Sequence, residues 1–146
     1  MDTTRVIGPP ILISQTGWIA TASRSRAGGE PEKAIDGDIG TVWWTSDGGS
    51  FPYSFSVDMG EVKAPLNGIY LQTNRVNPQI QTFELLVSND SVEWKMLGVF
   101  NVEDNNDRQY FEFINQEQFR YFQIDCTATF RNKANCAISE VGVYYR

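Results

Sequence analysis

"YSFSVDM", residues 53–59, sets Tyr53, Phe55, Val57 and Met59 against Ser54, Ser56 and Asp58. Alternation of apolar and polar residues is the period of a β-strand that buries one face, because successive side chains of a pleated strand point to opposite sides. The same reading extends outward. "TFELLVSND" places Phe83, Leu85 and Val87 on one face and stops at Asn89-Asp90, a turn signal. "QYFEFI" pairs Phe111 with Phe113, "RYFQIDC" lines up Phe122, Ile124 and Cys126, and "EVGVYY" brings Val141, Val143 and Tyr145 into register. "LNGIYLQT" supplies another strand and "WIATAS" a first one. No window sustains a three-to-four-residue apolar period, so no helix of consequence is expected. Short strands separated by turn-rich loops predict an all-β chain, an antiparallel β-sandwich or barrel.

A length of 146 residues suits one domain with a real core. The expected organisation is a single domain over 1–146, with its core in 18–145 and residues 1–12 as a linker or extended lead-in. At 41% hydrophobic, 13% aromatic and 21% charged residues, the composition excludes a disordered chain or a coiled coil. The formal net charge of −6 argues against nucleic acid as a partner, since a phosphate-backbone binder needs clustered Lys and Arg. The apolar run Pro9 to Ile13 is too short to span a bilayer, and no charged segment followed by an apolar one forms an export signal.

Histidine is absent, which removes the commonest general base, the Ser/His and Cys/His nucleophile pairs and His-based zinc or iron sites. The two cysteines, Cys126 and Cys136, fit either a small disulfide-closed loop or two buried free thiols. Function is then sought in loops. "SRSRAGGEPEK", "TNRVNPQIQ" and "TATFRNKANC" stand out by length and chemistry. So does "AIDGDIGTVWWT", residues 34–45.

In that stretch Asp36, Asp38 and Thr41 offer hard oxygen ligands in a glycine-punctuated turn, chemistry that suits calcium better than zinc. It is not an EF-hand loop: from Asp36 as first position, Thr41 stands at the turn glycine and Asp47 at the bidentate Glu. "DGD" is also an ordinary turn, and this segment alone does not decide between the two. Of the adjacent tryptophans, one faces inward and one outward in a strand-like segment, so Trp43 and Trp44 cannot both be core. Trp18 and Trp94, beside strand segments, are expected in the core. "NVEDNNDRQ" reads as a solvated acidic loop.

Taken together and in order, "WIATASRS", "EKAIDGDIGTVWWTS", "YSFSVDMGE", "FELLVSNDSVEWKML", "RQYFEF", "FRYFQID" and "ISEVGVYY" resemble the discoidin family, also called the coagulation factor five/eight C-type domain. The likeness runs from about Trp18 to Tyr145. It implies a jelly-roll β-sandwich of about eight strands. It also implies a structural cation, calcium, held by the Lys33 carbonyl, the Asp36 carboxylate, the Asp38 carbonyl, Thr41 through hydroxyl and carbonyl, the Ser139 carbonyl and the Glu140 carboxylate. Glu140 lies between Ile138 and Val141, where an uncompensated charge would be expensive.

The resemblance further implies a non-catalytic carbohydrate-binding module, similar to family 32 of that class. Such a module would be monomeric, part of a larger glycoside hydrolase or surface protein, and extracellular, periplasmic or at the cell surface. Its ligands would be glycans, with terminal galactose-type or amino sugars among them. By position, Arg75 and Asn74 would meet sugar hydroxyls, Glu30 or Glu32 would accept from them, and Phe130 would form an aromatic wall beside Trp44. Trp44 stands where relatives often carry a sugar-contacting histidine; it either stacks on a pyranose ring or packs under the neighbouring loop. The alternative function is a protein-interaction or adhesion domain of the same family. Membrane-binding relatives expose apolar loop tips, of which Phe130 and Val76 are the obvious ones here. An enzyme is not expected, because neighbouring loop acids such as Glu30 and Glu32 are not the opposed pair of glycoside hydrolysis.

Overall fold

The computed structural model describes residues 8–63, 65–74, 78–115 and 117–146. Over these, eleven strands follow in order: β1 (Ile11–Leu12), β2 (Ile19–Ala22), β3 (Trp43–Trp44), β4 (Tyr53–Lys63), β5 (Gly68–Gln72), β6 (Ile80–Ser88), β7 (Lys95–Asn101), β8 (Gln109–Glu112), β9 (Phe119–Thr129), β10 (Ala137–Ile138) and β11 (Glu140–Tyr145). Two single 3-10 turns, Pro31–Ala34 and Phe130–Asn132, are the helical content. The strands form a five-stranded sheet in the order β2-β4-β9-β6-β7, a four-stranded sheet in the order β1-β11-β5-β8, and a two-stranded ribbon of β3 with β10. All these pairings are antiparallel. The arrangement is the antiparallel jelly-roll sandwich that the alternation and the resemblance imply, with eight strands of four or more residues.

Tyr53, Phe55, Val57 and Met59 are all buried, whereas Ser54, Ser56 and Asp58 face outward as half-exposed residues. Phe83, Leu85, Phe122, Ile124, Ile69, Leu71, Val141 and Val143 meet them from the neighbouring strands and the facing sheet. Trp43 is fully enclosed, packs on Phe55 at 5.3 Å between ring centroids, and donates its indole N–H to the Arg24 carbonyl at 3.0 Å. Trp18 is buried edge-on to Phe122. Trp94 departs from expectation: it is half-exposed and lies outside the core cluster. The reason is its place at the end of a surface turn, ahead of the edge strand β7, where one side of the ring has no strand to cover it.

On the outer face of the four-stranded sheet, Tyr144 lies over Gly68 and Tyr70 over Gly142, so closely that a Cβ at either glycine would overlap the ring. The absent side chains are what let these tyrosines lie flat on the sheet and be buried on its solvent side. Residues 11 and 12, expected as lead-in, are tied to the sheet: Ile11 pairs with Tyr145 and Leu12 with Tyr144. Cys126 and Cys136 are both fully buried free thiols. The Cys126 thiol donates to the Ala128 carbonyl at 3.6 Å, and burial first, then the neighbouring Cys126, pushes the Cys136 thiol well above the ordinary cysteine value.

Candidate functional site

Alternating strand directions send the segments 23–52, 73–74 with 78–79, 102–108 and 130–136 to one end of the sandwich. At this end the stretch 33–41 wraps into a cradle around the Thr41 hydroxyl. That hydroxyl lies 2.5 Å from an Asp36 carboxylate oxygen, 3.0 Å from the Asp38 carbonyl and 3.3 Å from the Lys33 carbonyl. One hydroxyl carries one proton, so three converging acceptors exceed what it can serve. Short Asx bonds hold the turn, with Asp38 N–H donating to Asp36 at 3.0 Å and Gly40 N–H donating to Asp38 at 2.8 Å. Gly37 adopts a left-handed φ of 77°, which lets the chain reverse between the two aspartates.

Glu140 enters this cradle from the start of β11. It is 3% exposed, its strand lies between β1 and β5, and its Oε1 has no hydrogen-bond partner among the described residues. Burial, and then the facing Asp36 carboxyl, pushes Glu140 up to about 7. At Asp36 burial pulls upward too, but hydrogen bonds from the Thr41 hydroxyl and the Asp38 N–H outweigh it and leave the carboxyl below its usual range. The adjacent Ser139 is fully buried and its hydroxyl is likewise unsatisfied. Oxygens crowd the cradle while hydrogen-bond donors are short, so the facing carboxyls have little within the described residues to neutralise them. Among the described residues no three His, Cys, Asp or Glu side chains cluster; the cradle's other donors are carbonyls and a hydroxyl, a hard-oxygen set fitted to calcium.

Trp44 is held nearby by backbone bonds on two sides. Its N–H donates to the Gly29 carbonyl at 3.0 Å and its carbonyl accepts from Arg26 N–H at 2.9 Å, while the strand pairs it with Ala137. Its ring is half-exposed, and the Arg26 guanidinium covers one face at 3.9 Å from the centroid. Arg26 also donates from Nε and one terminal nitrogen to the Thr45 carbonyl at 2.9 and 2.7 Å and reaches Asp47 at 3.3 Å. Asp47 in turn accepts from the Asn135 side chain at 2.7 Å. An aromatic ring, a fixed planar donor, a carboxylate and an amide therefore stand together at the loop end.

The other positions expected to meet sugar distribute around this cluster. Glu30 is half-exposed and accepts from Gly28 N–H at 2.6 Å, while Glu32 is exposed on the 3-10 turn. Phe130 is half-exposed and bonded through its N–H to the Gln79 carbonyl, and Gln79 bridges to Ala137, the partner of Trp44. Asn74 is half-exposed at the start of its loop, whereas Arg75 and Val76 lie outside the described residues. The acidic loop is tied down: Asp104 accepts from Arg131 at 3.1 Å and from Gln79 at 2.8 Å, linking it to the loop that follows β9. Arg26, Asp47 and Asn135 were not singled out from sequence. Their signal lies in contacts across 19 to 88 residues, which no local pattern carries.

Residues 19–141 match the family described as the F5/8 type C domain. A galactose oxidase of Gibberella zeae is 30% identical over 89 residues, 56% of this chain and 13% of that relative, so the chain spans about an eighth of the relative's length. Among solved structures, the family 32 carbohydrate-binding module of NanJ from C. perfringens, in complex with galactose, superposes with a TM-score of 0.81 at 24% identity. That alignment covers 93% of this chain and 99% of the module. A further C. perfringens module, CpGH89CBM32-5, in complex with GalNAc-β-1,3-galactose, gives 0.81 at 19% identity over 93% and 99%. At these identities the likeness establishes the shared sandwich. No helix among the described residues is long and apolar enough to cross a membrane.

Proposed function

The chain belongs to the F5/8 type C domain family, and from that premise we propose that it is a non-catalytic carbohydrate-binding module, of the family 32 kind, whose ligand sits on the loop end. The observation that carries this reading is the cluster of Trp44, Arg26, Asp47 and Asn135. A sugar needs an apolar edge for its C–H face and paired donors and acceptors for neighbouring hydroxyls, and this cluster offers both. Arg26 already occupies one face of Trp44. The sugar therefore meets the free part of the ring and the outer N–H and carboxylate groups. Glu30, Glu32, Asn74, Arg75 and Phe130 are the second tier of candidates. The structural relatives solved with galactose and with GalNAc-β-1,3-galactose support a galactose-type ligand.

Calcium in the neighbouring cradle completes the reading, held by Lys33, Asp36, Asp38, Thr41, Ser139 and Glu140. Its role would be structural: it neutralises the facing Asp36 and Glu140 carboxyls and pins the 33–41 loop to the start of β11. The module would serve a larger extracellular or surface protein, a glycoside hydrolase foremost, by holding it near a glycan.

The test is a glycan array probed with the calcium-loaded domain in multivalent display, followed by titration of each hit, because shallow single sites bind weakly. Binding of terminal galactose or N-acetylgalactosamine that is lost in Trp44→Ala and Asp47→Ala supports the proposal. A blank array from folded protein overturns it and redirects the search to a protein ligand.

A further inference from the structure

The opposite end of the sandwich carries a second concave surface. Where β6 turns over and β9 begins, a cavity of about 300 Å³ is floored by Val87 and Phe119, walled by Trp94 and rimmed by Asp90, Glu93 and Glu117. The same indole lines a second hollow of about 330 Å³ on the outer face of the five-stranded sheet, beside Tyr121, Ser56 and Thr21. Trp94 is thus a wall shared by two hollows.

Its ring is fixed before any ligand arrives. The indole N–H donates to the Ser91 carbonyl at 3.2 Å, and Tyr121 stands edge-on at 6.5 Å between centroids. The turn beneath is braced by Asp90, whose Oδ1 accepts from the N–H groups of Val92 and Glu93 at 2.9 Å each and lies 3.1 Å from the Ser88 hydroxyl. Ser91 is held there in the left-handed region at φ 60°. An ordered, half-exposed indole above a cavity, outside the core cluster, is a platform and not core filling.

Charge selects the ligand. Three carboxylates of the rim face one lysine, Lys95, whose contact with Glu117 is a loose 3.5 Å between largely exposed side chains. Backbone N–H bonds from Glu93 and Val92 hold the Asp90 carboxyl below its usual range, so it stays ionised. A uronate or sulfated sugar would be repelled. A protonated amino sugar would find an aromatic face for its ring and carboxylates for its ammonium.

We propose that this cavity is a second glycan site, independent of the loop-end site, that binds a free-amine hexosamine of a short oligosaccharide. The sugar ring stacks on Trp94, its ammonium lies among Asp90, Glu93 and Glu117, and the next ring extends toward Tyr121 and Ser56.

The experiment follows the four tryptophan indole N–H resonances of the isotope-labelled domain during titration with a glucosamine tetramer, and separately with its fully N-acetylated counterpart. The expected result is a saturable shift of the Trp94 signal with the free-amine tetramer. Affinity should fall about tenfold in Trp94→Ala and severalfold in Glu93→Gln, the size of one stacking or one charge-assisted contact. Absence of a Trp94 shift, a response confined to Trp44, or an equal response to the acetylated tetramer overturns the proposal. If Trp94→Ala does not fold, Glu93→Gln decides, and unchanged affinity in that variant overturns it as well.

Discussion

The Arg26 guanidinium sits over the Trp44 ring at 3.9 Å from its centroid while forking onto the carbonyl of Thr45, the residue that follows Trp44 in the chain. One side chain thus fixes both the ring and the backbone that carries it. Arg26→Ala should cost about 1–2 kcal/mol, the sum expected for one cation–π contact and the lost bonds to the Thr45 carbonyl. Thermal unfolding measures that loss. In the same variant, glycan affinity should fall, because an unclamped Trp44 must be ordered by the ligand. Arg26→Lys should not rescue it, since an ammonium can neither fork nor stack as a guanidinium does. Unchanged affinity in Arg26→Ala would place the ligand elsewhere.

Calcium should raise the thermal midpoint of the domain. At a hundred times its dissociation constant, a bound ion adds ~2.7 kcal/mol, or about 5–10 °C for a domain of this size. Asp36→Ala and Glu140→Ala should abolish the response, while Trp44→Ala should keep it. Scanning calorimetry with calcium and with a chelator checks this, and equal responses in all three variants would remove the cation from the cradle.

The acid limb of stability should depend on Asp58. Arg120 binds this carboxylate through two nitrogens at 2.8 and 3.1 Å. That contact, against an opposing effect of burial and with help from the Gly60 N–H, holds Asp58 below its usual carboxylate value. A depressed folded value means that the unfolded chain binds the proton more readily. The stabilisation is therefore full above about pH 4 and is lost as pH falls through the folded value. Thermal midpoints measured from pH 2 to 7 should drop less steeply in Asp58→Asn than in the wild type, and parallel profiles would contradict the assignment.

The two thiols should be silent in the native protein. Cys126 and Cys136 are fully buried, and burial keeps Cys136 protonated well past neutrality. A chromogenic disulfide reagent should titrate no thiol in the native, reduced protein and both after denaturation. Rapid native labelling of Cys136 would show that the 130–136 loop opens.

Much of the sandwich was legible because its central strands bury one face and leave the other wet. Tyr53 to Met59 shows the cleanest alternation and sits in β4, between β2 and β9. β7 was not legible. It is an edge strand with exposed Met96 and Val99, a glycine at 98, and a register shift opposite Leu85 and Leu86, so no period-two pattern survives. Strands of two residues, β1 and β10, are too short to carry a period at all. Glu140 could be singled out because a charge among Ile138 and Val141 conflicts with its surroundings. Nothing local marks Asn135 as a partner of Asp47, and Trp94 looked like any other aromatic beside a strand until its missing cover was visible.

The pairing of Ile11 with Tyr145 brings the first and last strands side by side, so a tension applied across residues 11 and 145 would act as a zipper pull. The two-residue ladder opens one rung at a time, next meeting the bond from Ile13 N–H to the Val143 carbonyl, before force reaches Glu140 at the far end of β11. Under mechanical load the sandwich would therefore fray at the end away from the Trp44 loops, and the cradle around Thr41 would be among the last parts to feel the strain.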